Sequence, residues 1–148
     1  MTVKHSTSPD FAIILEKAAE FHGHLGPFLT IGVKMGLMGV DQLDNKTDSL
    51  VVTASLPLRV PFSCIIDGLQ ITTKCTVGNR KLRLKDSAKI QVEFERQDNG
   101  HKTVVALNQS VFDKLKSQLL QEAMSDEEVR RLAWKIAAIS EDKLFVLT

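Results

Sequence analysis

The apolar residues between Phe11 and Met38 recur at helical spacing in two stretches. The first stretch follows Ser8-Pro9-Asp10, which is typical of a helix start because serine caps, proline suits the first helical position and aspartate complements the helix dipole. This predicted helix ends near Gly23, and Pro27 begins a second one. The apolar face of the first helix comprises Phe11, Ile14, Leu15, Ala18 and His22, and that of the second comprises Phe28, Ile31, Met35 and Met38.

Two glycines on the second predicted helix, Gly32 and Gly36, are four residues apart and therefore lie on the same face. They leave a smooth strip that another backbone can approach closely. Because glycine weakens an isolated helix, this strip predicts tight packing against another element.

Short β-type stretches follow the two helices. The β-branched run Leu50–Leu56 predicts a strand. Lys89–Glu95 and Lys102–Leu107 alternate between apolar and polar residues, and Asp98-Asn99-Gly100 between them is a strong turn signal. These residues predict an antiparallel hairpin with one face in water.

The remaining patterns predict three helices and a last strand. A short helix runs from Cys64 to about Thr73, with Ser63 as its cap. Asn108 caps a longer helix, and the capping box Ser125–Glu128 opens another. Leu144–Leu147 predicts the last strand.

The order of these elements shows no alternation of strands and helices, which indicates the α+β class. The chain has 148 residues, about the size of one domain, and we therefore expect a single core domain over residues 1–148. Hydrophobic residues make up 43% and charged residues 25%, as in ordinary globular proteins.

The net charge, the first residues and the most apolar window give no indication of nucleic-acid binding, secretion or a membrane span. A formal net charge of +1 gives no reason to expect nucleic acid or an anionic membrane as a partner. The first residues lack the apolar segment of a secretory signal, and the most apolar window, Leu25–Val40, is interrupted by Lys34 and four glycines. This window falls short of the roughly 20 apolar residues of a membrane span, so we expect a cytoplasmic protein.

Two histidines flank a glycine at the end of the first predicted helix. If the chain leaves the helix at Gly23, the rings of His22 and His24 can converge on one ion, and glycine permits the backbone torsion that this requires. Alternatively, one ring caps the helix C-terminus and the other packs against the core.

The two cysteines are too few for a disulfide framework and are interpreted as thiols available for metal or redox chemistry. Cys64 and Cys75 bracket the short helix, and Cys64, Asp67 and Ile71 share a face that points toward Cys75. In the first helical turn, free N–H groups stabilise a thiolate, which makes Cys64 a candidate metal ligand or nucleophile. The alternative is a buried cysteine that packs as a small apolar residue.

Two separated segments, FHGHLGPFLTIGVKMG and CIIDGLQITTKCTVGNRKL, resemble the formylmethanofuran dehydrogenase E-subunit family. The family pattern contains an aromatic-His-Gly-His segment ending in proline and running into a glycine-rich helix. A Cys-x-x-Asp element and a Cys-Thr-x-Gly element follow. The corresponding residues are Phe21–Pro27, then Cys64, Asp67, Gly68 and Gln70, then Cys75, Thr76 and Gly78. Many members have a cysteine where this chain has Gly26, and no paired CxxC of an appended zinc ribbon follows Cys75, so the chain resembles the core-only branch.

The resemblance implies an α+β core with a mixed, largely antiparallel sheet packed with helices. It also implies an intertwined homodimer, for which the backbone exposed at Gly32 and Gly36 is a candidate contact. A metal-binding cleft formed by the His-Gly-His and cysteine elements is implied as well, with His22, His24, Cys64 and Cys75 as candidate ligands. Imidazole and thiolate ligands favour a divalent ion, with zinc as the first expectation. The family name further implies an association with a molybdenum or tungsten oxidoreductase complex of one-carbon metabolism.

Three functions compete at this stage. The first is a metal-binding accessory or metal-handling protein. The second is a small metal- or thiolate-dependent enzyme of unknown substrate, for which Cys64, Asp67 and Glu20 are the candidate catalytic residues. The third is an interaction protein in which the motif residues serve only the dimer.

Overall fold

A computed structural model describes residues 9–121 and 123–148 of the chain. The helices are α1 (Pro9–His22), α2 (Pro27–Gln42), α3 (Cys64–Thr73), α4 (Gln109–Gln121), α5 (Asp126–Ala138) and α6 (Glu141–Leu144). The strands are β1 (Leu50–Leu56), β2 (Leu82–Asp86), β3 (Gln91–Arg96), β4 (Lys102–Leu107) and β5 (Phe145–Leu147). The predicted cap Ser8 lies outside the described residues. In the described part of the chain, no helix combines the length and apolar character needed to cross a bilayer.

The five strands form one sheet in the order β2-β1-β3-β4-β5. β1 is parallel to β2 and antiparallel to β3, and the remaining neighbours are also antiparallel. The predicted α+β fold with a mixed, largely antiparallel sheet is therefore confirmed. The sequence did not predict β2, because Leu82 is its only buried residue and an edge strand of this kind has almost no apolar alternation.

Helix α2 packs on one face of this sheet. The inward side chains of β3 and β4 alternate as predicted, and Phe94 and Val105 are fully buried. Gly39 of α2 lies against the Phe94 ring, so closely that a side chain at position 39 would meet it at 2.5 Å. A glycine is thus required where the helix crosses the sheet.

Helices α2 and α3 are in backbone contact through glycines of both helices. A Cβ atom on Gly32 would lie 2.8 Å from Cα of Ile65 and closer still to its carbonyl oxygen. A Cβ atom on Gly68 would lie 2.5 Å from the backbone nitrogen of Val33. Neither distance is compatible with a real side chain, so both positions require glycine.

The contacts also set the direction of the two helices. Gly32 faces Ile65 and Gly36 faces Thr72, so residue numbers rise together and α2 and α3 run in the same direction. The glycine strip predicted from the sequence is therefore filled by α3 of the same chain. It is not available to a second chain, and the expectation that the strip forms a dimer contact was wrong.

The start of α3 also differs from its prediction. Ser63 has helical torsion angles (φ −66°, ψ −11°) and its side chain caps nothing in the described residues. The turn before the helix supplies the acceptors instead: the N–H groups of Cys64 and Ile66 donate to the carbonyls of Pro61 (3.2 Å) and Ser63 (3.0 Å). The donors that a cap satisfies are thus already paired.

A buried lysine joins α2 to the end of α5. Lys34 Nζ donates to the carbonyl oxygens of Ala137 (2.8 Å) and Ile139 (2.5 Å) and pairs with Glu141 Oε1 at 3.2 Å. The carbonyls at the C-terminal end of a helix have no partner within it, so the ammonium group satisfies acceptors that burial would otherwise leave unpaired. Burial lowers the pKa of Lys34, and the charge of Glu141 opposes this shift.

We predict that Gly32→Ala and Gly68→Ala each destabilise the protein by about 1–3 kcal/mol or more, because the added methyl group forces α2 and α3 apart. Helix propensity alone predicts the opposite sign, a gain of about 1 kcal/mol. Urea unfolding followed by circular dichroism measures the difference. Gly78→Ala is the matched control, because its Cβ atom would meet only Thr76 Oγ1, at 3.7 Å. Unchanged stability of both helix variants would contradict the backbone contact.

Candidate functional site

The His-Gly-His segment forms the turn between α1 and α2. His22 is the last residue of α1, and Gly23 has a φ of +110°, which a residue with a side chain rarely adopts. The N–H of Gly23 still donates to the carbonyl of Ala19 at 2.8 Å, so this carbonyl in the last turn of α1 is paired. The predicted departure from the helix at Gly23 is confirmed.

The His22 ring is held by a carboxylate on α3. His22 Nδ1 lies 2.6 Å from Asp67 Oδ2, and the His22 side chain is only 15% exposed. An ionised carboxylate only accepts hydrogen bonds, so a neutral ring donates from Nδ1 and carries its lone pair on Nε2. Nε2 is buried, and no hydrogen-bond partner for it exists among the described residues. A lone pair that is held in place and has no partner is the most unusual polar feature of this region.

His24 stands beside this ring. The two imidazole centroids are 4.8 Å apart with an angle of 39° between the ring planes. His24 is exposed, and together with Cys64 it lines a cavity of about 280 Å³. The structure therefore brings His22, His24 and Cys64 to the same end of the α2–α3 pair.

Cys64 is a buried thiol. Burial raises its pKa, and the negative charge of Asp67 raises it further, while a backbone hydrogen bond opposes both effects. The surroundings of Cys64 thus favour the neutral thiol, whereas the sequence suggested a stabilised thiolate. The turn before α3 uses the helix N–H groups, and the nearby carboxylate has the unfavourable sign.

Cys75 lies beyond the opposite end of α3. Cys64 and Cys75 are eleven residues apart, which corresponds to roughly 16 Å along a helix axis. The Cys75 side chain is fully buried, and its Sγ donates to the carbonyl oxygen of Leu50 at 3.2 Å. Burial raises the pKa of this thiol as well. The structure does not bring Cys75 to the histidines.

The two candidate proton carriers lie in different surroundings. Asp67 contacts His22 and also accepts a hydrogen bond from Gln70 Nε2 at 3.1 Å. Gln70 Oε1 in turn accepts from the backbone N–H of Val77 at 3.1 Å. Glu20 is exposed on α1 and does not line the cavity.

The link from His22 through Asp67 and Gln70 to the loop after α3 was not predicted. The helical spacing within α3 placed Asp67 on the face that points toward Cys75. That spacing takes no account of the neighbouring helix α1. The spacing of Asp67 and Gln70 by three residues was the available signal for their contact, since such residues are neighbours on a helix surface.

Gly26 borders the cavity between His24 and α5. A Cβ atom at this position would lie 3.6 Å from His24 Nε2 and 3.5 Å from Val129 Cγ1, both ordinary contact distances. The backbone of Gly26 is extended (φ −139°, ψ 172°), a conformation open to any residue. A side chain at position 26 would therefore fit, and it would point at His24.

The side chains as they stand do not form a complete metal site. Across residues 9–121 and 123–148, no group of three or more His, Cys, Asp or Glu side chains is close enough to hold an ion. What the site offers is a lone pair on His22 Nε2, a second imidazole and a neutral thiol beside an apolar cavity.

The fold and the site define a small α+β protein in which a His-Gly-His turn meets the start of a Cys-x-x-Asp helix. The model of the FmdE family, described as molybdenum formylmethanofuran dehydrogenase operon, matches residues 21–146. The chain belongs to this family, and the resemblance seen in the sequence is confirmed.

Two proteins illustrate the relationship. A probable S-adenosyl-L-methionine-binding protein from Archaeoglobus fulgidus is 28% identical over 151 residues, which cover 90% of this chain. The chain spans only 41% of that relative's length. The crystal structure of a tungsten formylmethanofuran dehydrogenase FmdE-like protein from Syntrophus aciditrophicus has a TM-score of 0.57 and 21% identity. The alignment covers 93% of this chain and 70% of that one, and it supports the fold.

We predict that metal-free wild-type protein carries the neutral His22 proton on Nδ1, because Asp67 can only accept. Asp67→Asn raises the population with the proton on Nε2, because an amide can donate to Nδ1. Side-chain nitrogen chemical shifts from ¹H–¹⁵N correlation spectra measure this ratio. Asp113→Asn, on the exposed surface of α4, is the matched control and leaves the ratio unchanged. A wild-type ring protonated mainly on Nε2 would contradict the hydrogen bond described here.

Proposed function

We propose that this chain is a metal-binding accessory protein that takes zinc through His22, His24 and Cys64. We propose further that it serves a molybdenum- or tungsten-dependent oxidoreductase of one-carbon metabolism. The observation that carries the metal proposal is the buried His22 Nε2 atom, which has no hydrogen-bond partner in the described residues. The family description, which names the formylmethanofuran dehydrogenase operon, supports the link to the oxidoreductase.

The contact between His22 and Asp67 matches the way proteins prepare a histidine ligand. Metal-binding histidines commonly donate the other ring N–H to a carboxylate, which orients the ring and raises the basicity of the ligating nitrogen. Leaving a buried acceptor unpaired costs about 1–3 kcal/mol. A metal ion bound to Nε2 would remove this cost, because the neutral imidazole nitrogen donates its lone pair to a cation.

The other donors suit zinc. His24 adds a second imidazole, and Cys64 adds sulfur at the neighbouring cavity wall. Metal binding displaces the proton of a thiol, so the raised pKa of Cys64 does not prevent ligation, although it lowers the affinity for the ion. Because His24 is an exposed side chain in a turn, its ring can reorient toward a shared ion. When bound, zinc would supply a Lewis acid with a position open to a further ligand.

The choice of Cys64 over Cys75 follows from their surroundings. Cys75 donates to Leu50 at the far end of α3, where neither histidine of the turn is near. The sulfur atom of Cys75 packs within the hydrophobic core. The proposed donor set therefore has three protein ligands, one fewer than the closed zinc sites that typically stabilise folds.

A small enzyme is the second candidate function. The version that uses a Cys64 thiolate as nucleophile is disfavoured, because burial and Asp67 both raise the pKa of the thiol. The other form of this hypothesis is an enzyme that uses a metal-bound ligand. The cavity beside His24 and Cys64 is the observation that favours it.

We also propose that the chain works as a homodimer, as the family resemblance implies. The glycine strip is covered, so another apolar surface has to supply the contact. Leu58 and Val60, in the turn before α3, are large apolar side chains that are 42% and 78% exposed. Exposed apolar residues close together are typical of association surfaces.

We predict that wild-type protein binds stoichiometric zinc, and that the double variant His22→Ala, Cys64→Ser loses it. Asp67→Asn is expected to weaken zinc binding about 10–100-fold, because the carboxylate orients the ligand ring. Elemental analysis and competition with a chromophoric chelator measure occupancy and affinity.

The matched control for this experiment is the double variant His101→Ala, Cys75→Ser. It removes one imidazole and one thiol as well, but at an exposed turn and at the far end of α3. Zinc binding by the control should equal that of wild type. Undiminished zinc in the His22 and Cys64 variant would contradict the proposed site.

We predict a dimer by light scattering at micromolar concentration, and a shift toward monomer in Val60→Glu. An obligate dimer interface typically buries more than about 2,000 Å², and a buried unpaired carboxylate is costly there. Val77→Glu, at a valine that is 53% exposed in the loop after α3, is the control and remains dimeric. A monomeric wild type would rule out the dimer.

A further inference from the structure

We propose that a cavity at the edge where β1 and β2 leave the sheet binds a small phosphate monoester whose body carries hydroxyl groups. Two basic side chains and a serine hydroxyl hold the phosphate, and a carboxylate accepts a hydrogen bond from the body. This cavity shares no lining residue with the one beside His24 and Cys64, so the inference stands independently of the proposed metal site.

The parallel pairing of β1 and β2 forms the cavity. Leu56 pairs with Asp86 in register, so the segments that follow the two strands leave the sheet at the same edge. The N–H of Ser87 donates to the carbonyl oxygen of Leu56 at 3.0 Å, and the N–H of Leu58 donates to Asp86 Oδ1 at 3.1 Å. These hydrogen bonds fix the two segments to each other. Together with α4 they surround about 350 Å³, near the lower limit of small-molecule sites at about 300–1,000 Å³.

Two cations at this cavity are oriented by one pair of buried rings. Arg59 Cζ lies 5.3 Å from the ring centroid of Phe62, and Lys116 Nζ lies 5.9 Å from that of Phe112. The two rings pack edge to face with their centroids 5.4 Å apart. Among the described residues, no carboxylate forms a salt bridge with either cation. Both positive charges are therefore held in place and available to an anionic ligand.

The set of donors favours a phosphate over a carboxylate. The fork of Arg59 alone satisfies both oxygens of a carboxylate, which would leave Lys116 without a partner. A phosphate monoester has three terminal oxygens and a charge of about −1.5 to −2 at pH 7, so it matches two cations. Ser87 Oγ accepts from the N–H of Lys89 at 3.2 Å, which leaves its own O–H to donate to a further phosphate oxygen.

The surrounding charge has the sign that attracts such a ligand. The segment from Lys74 to Lys89 contains six basic residues and one acidic residue, Asp86, although the whole chain has a net charge of only +1. The rest of the chain is therefore net acidic, and positive charge is concentrated at the β2 edge. A concentrated field of this kind raises the local concentration of anions.

The carboxylate of Asp86 selects the body of the ligand. Its Oδ1 accepts from Leu58, and no hydrogen bond to its Oδ2 occurs in the described part of the chain. A ligand hydroxyl that donates to Oδ2 would offset the repulsion between this carboxylate and the phosphate. The apolar part of the lining, Pro57, Ala88 and Phe112, leaves room for a short carbon skeleton.

The test titrates the whole chain, in the oligomeric state that it adopts in solution, with three probes that share a hydroxylated three-carbon body: glycerol phosphate, glycerate and glycerol. Chemical-shift changes in ¹H–¹⁵N spectra at constant ionic strength measure the affinities. We expect glycerol phosphate to bind about tenfold or more tightly than glycerate, and glycerol to bind more weakly still. No binding of glycerol phosphate, or equal binding of either other probe, would overturn the proposal.

A pair of double variants separates a defined site from general attraction by the positive surface. Arg59→Gln with Lys116→Gln removes both cations from the cavity and is expected to weaken glycerol phosphate about tenfold or more. Arg83→Gln with Lys114→Gln removes the same charge at exposed positions that do not line the cavity. This control should stay within about twofold of wild type, because salt screens exposed charges away from the ligand. Equal weakening by both double variants would overturn the site.

A third variant tests the cavity without removing a charge. Ala88→Trp fills the space beside the two cations and is expected to weaken glycerol phosphate about tenfold or more. Val146→Trp, at an exposed position on β5, is the matched control and should bind the probe like wild type. Circular dichroism establishes that each variant is folded. A folded Ala88→Trp protein with wild-type affinity would refute the inference.

Discussion

The backbone contact between α2 and α3 is the constraint on which the rest of the structure depends. Gly32 on one helix and Gly68 on the other allow the two backbones to touch, and no residue with a side chain fits at either position. Because the helices run in the same direction, their first residues lie at the same end. The His-Gly-His turn precedes α2 and Cys64 begins α3, so this single contact brings the imidazoles and the thiol together and sends Cys75 to the other end.

Much of this fold could be predicted from the sequence, because local patterns coincide with the structure. The alternation around Val92 and Phe94 and the turn after it predicted the hairpin, and the capping box predicted the start of α5. The edge strand β2 could not be predicted, since only Leu82 on it is buried. The role of Lys34 was missed for a different reason: its partners belong to residues more than a hundred positions later, and no local pattern reports them.

Of the four candidate metal ligands that the sequence suggested, three lie at one end of the α2–α3 pair, and the arrangement of their side chains was not predicted. The spacing of His22 and His24 around a glycine indicated that the two rings can converge on one ion, and the structure places the ring centroids 4.8 Å apart. The hydrogen bond from His22 to Asp67 joins residues 45 positions apart, and it depends on how α1 lies against α3. The N–H groups that were expected to stabilise a Cys64 thiolate donate to carbonyls of the turn before α3, and the sequence of the helix alone does not show these acceptors.

Gly26 gives this scaffold a place where its chemistry can vary independently of its architecture. The position is extended, has room for a side chain and points at His24, while the glycines that hold α2 and α3 together lie elsewhere on the same chain. One substitution at position 26 can therefore change the number of donors around the cavity without touching the contacts that keep the fold.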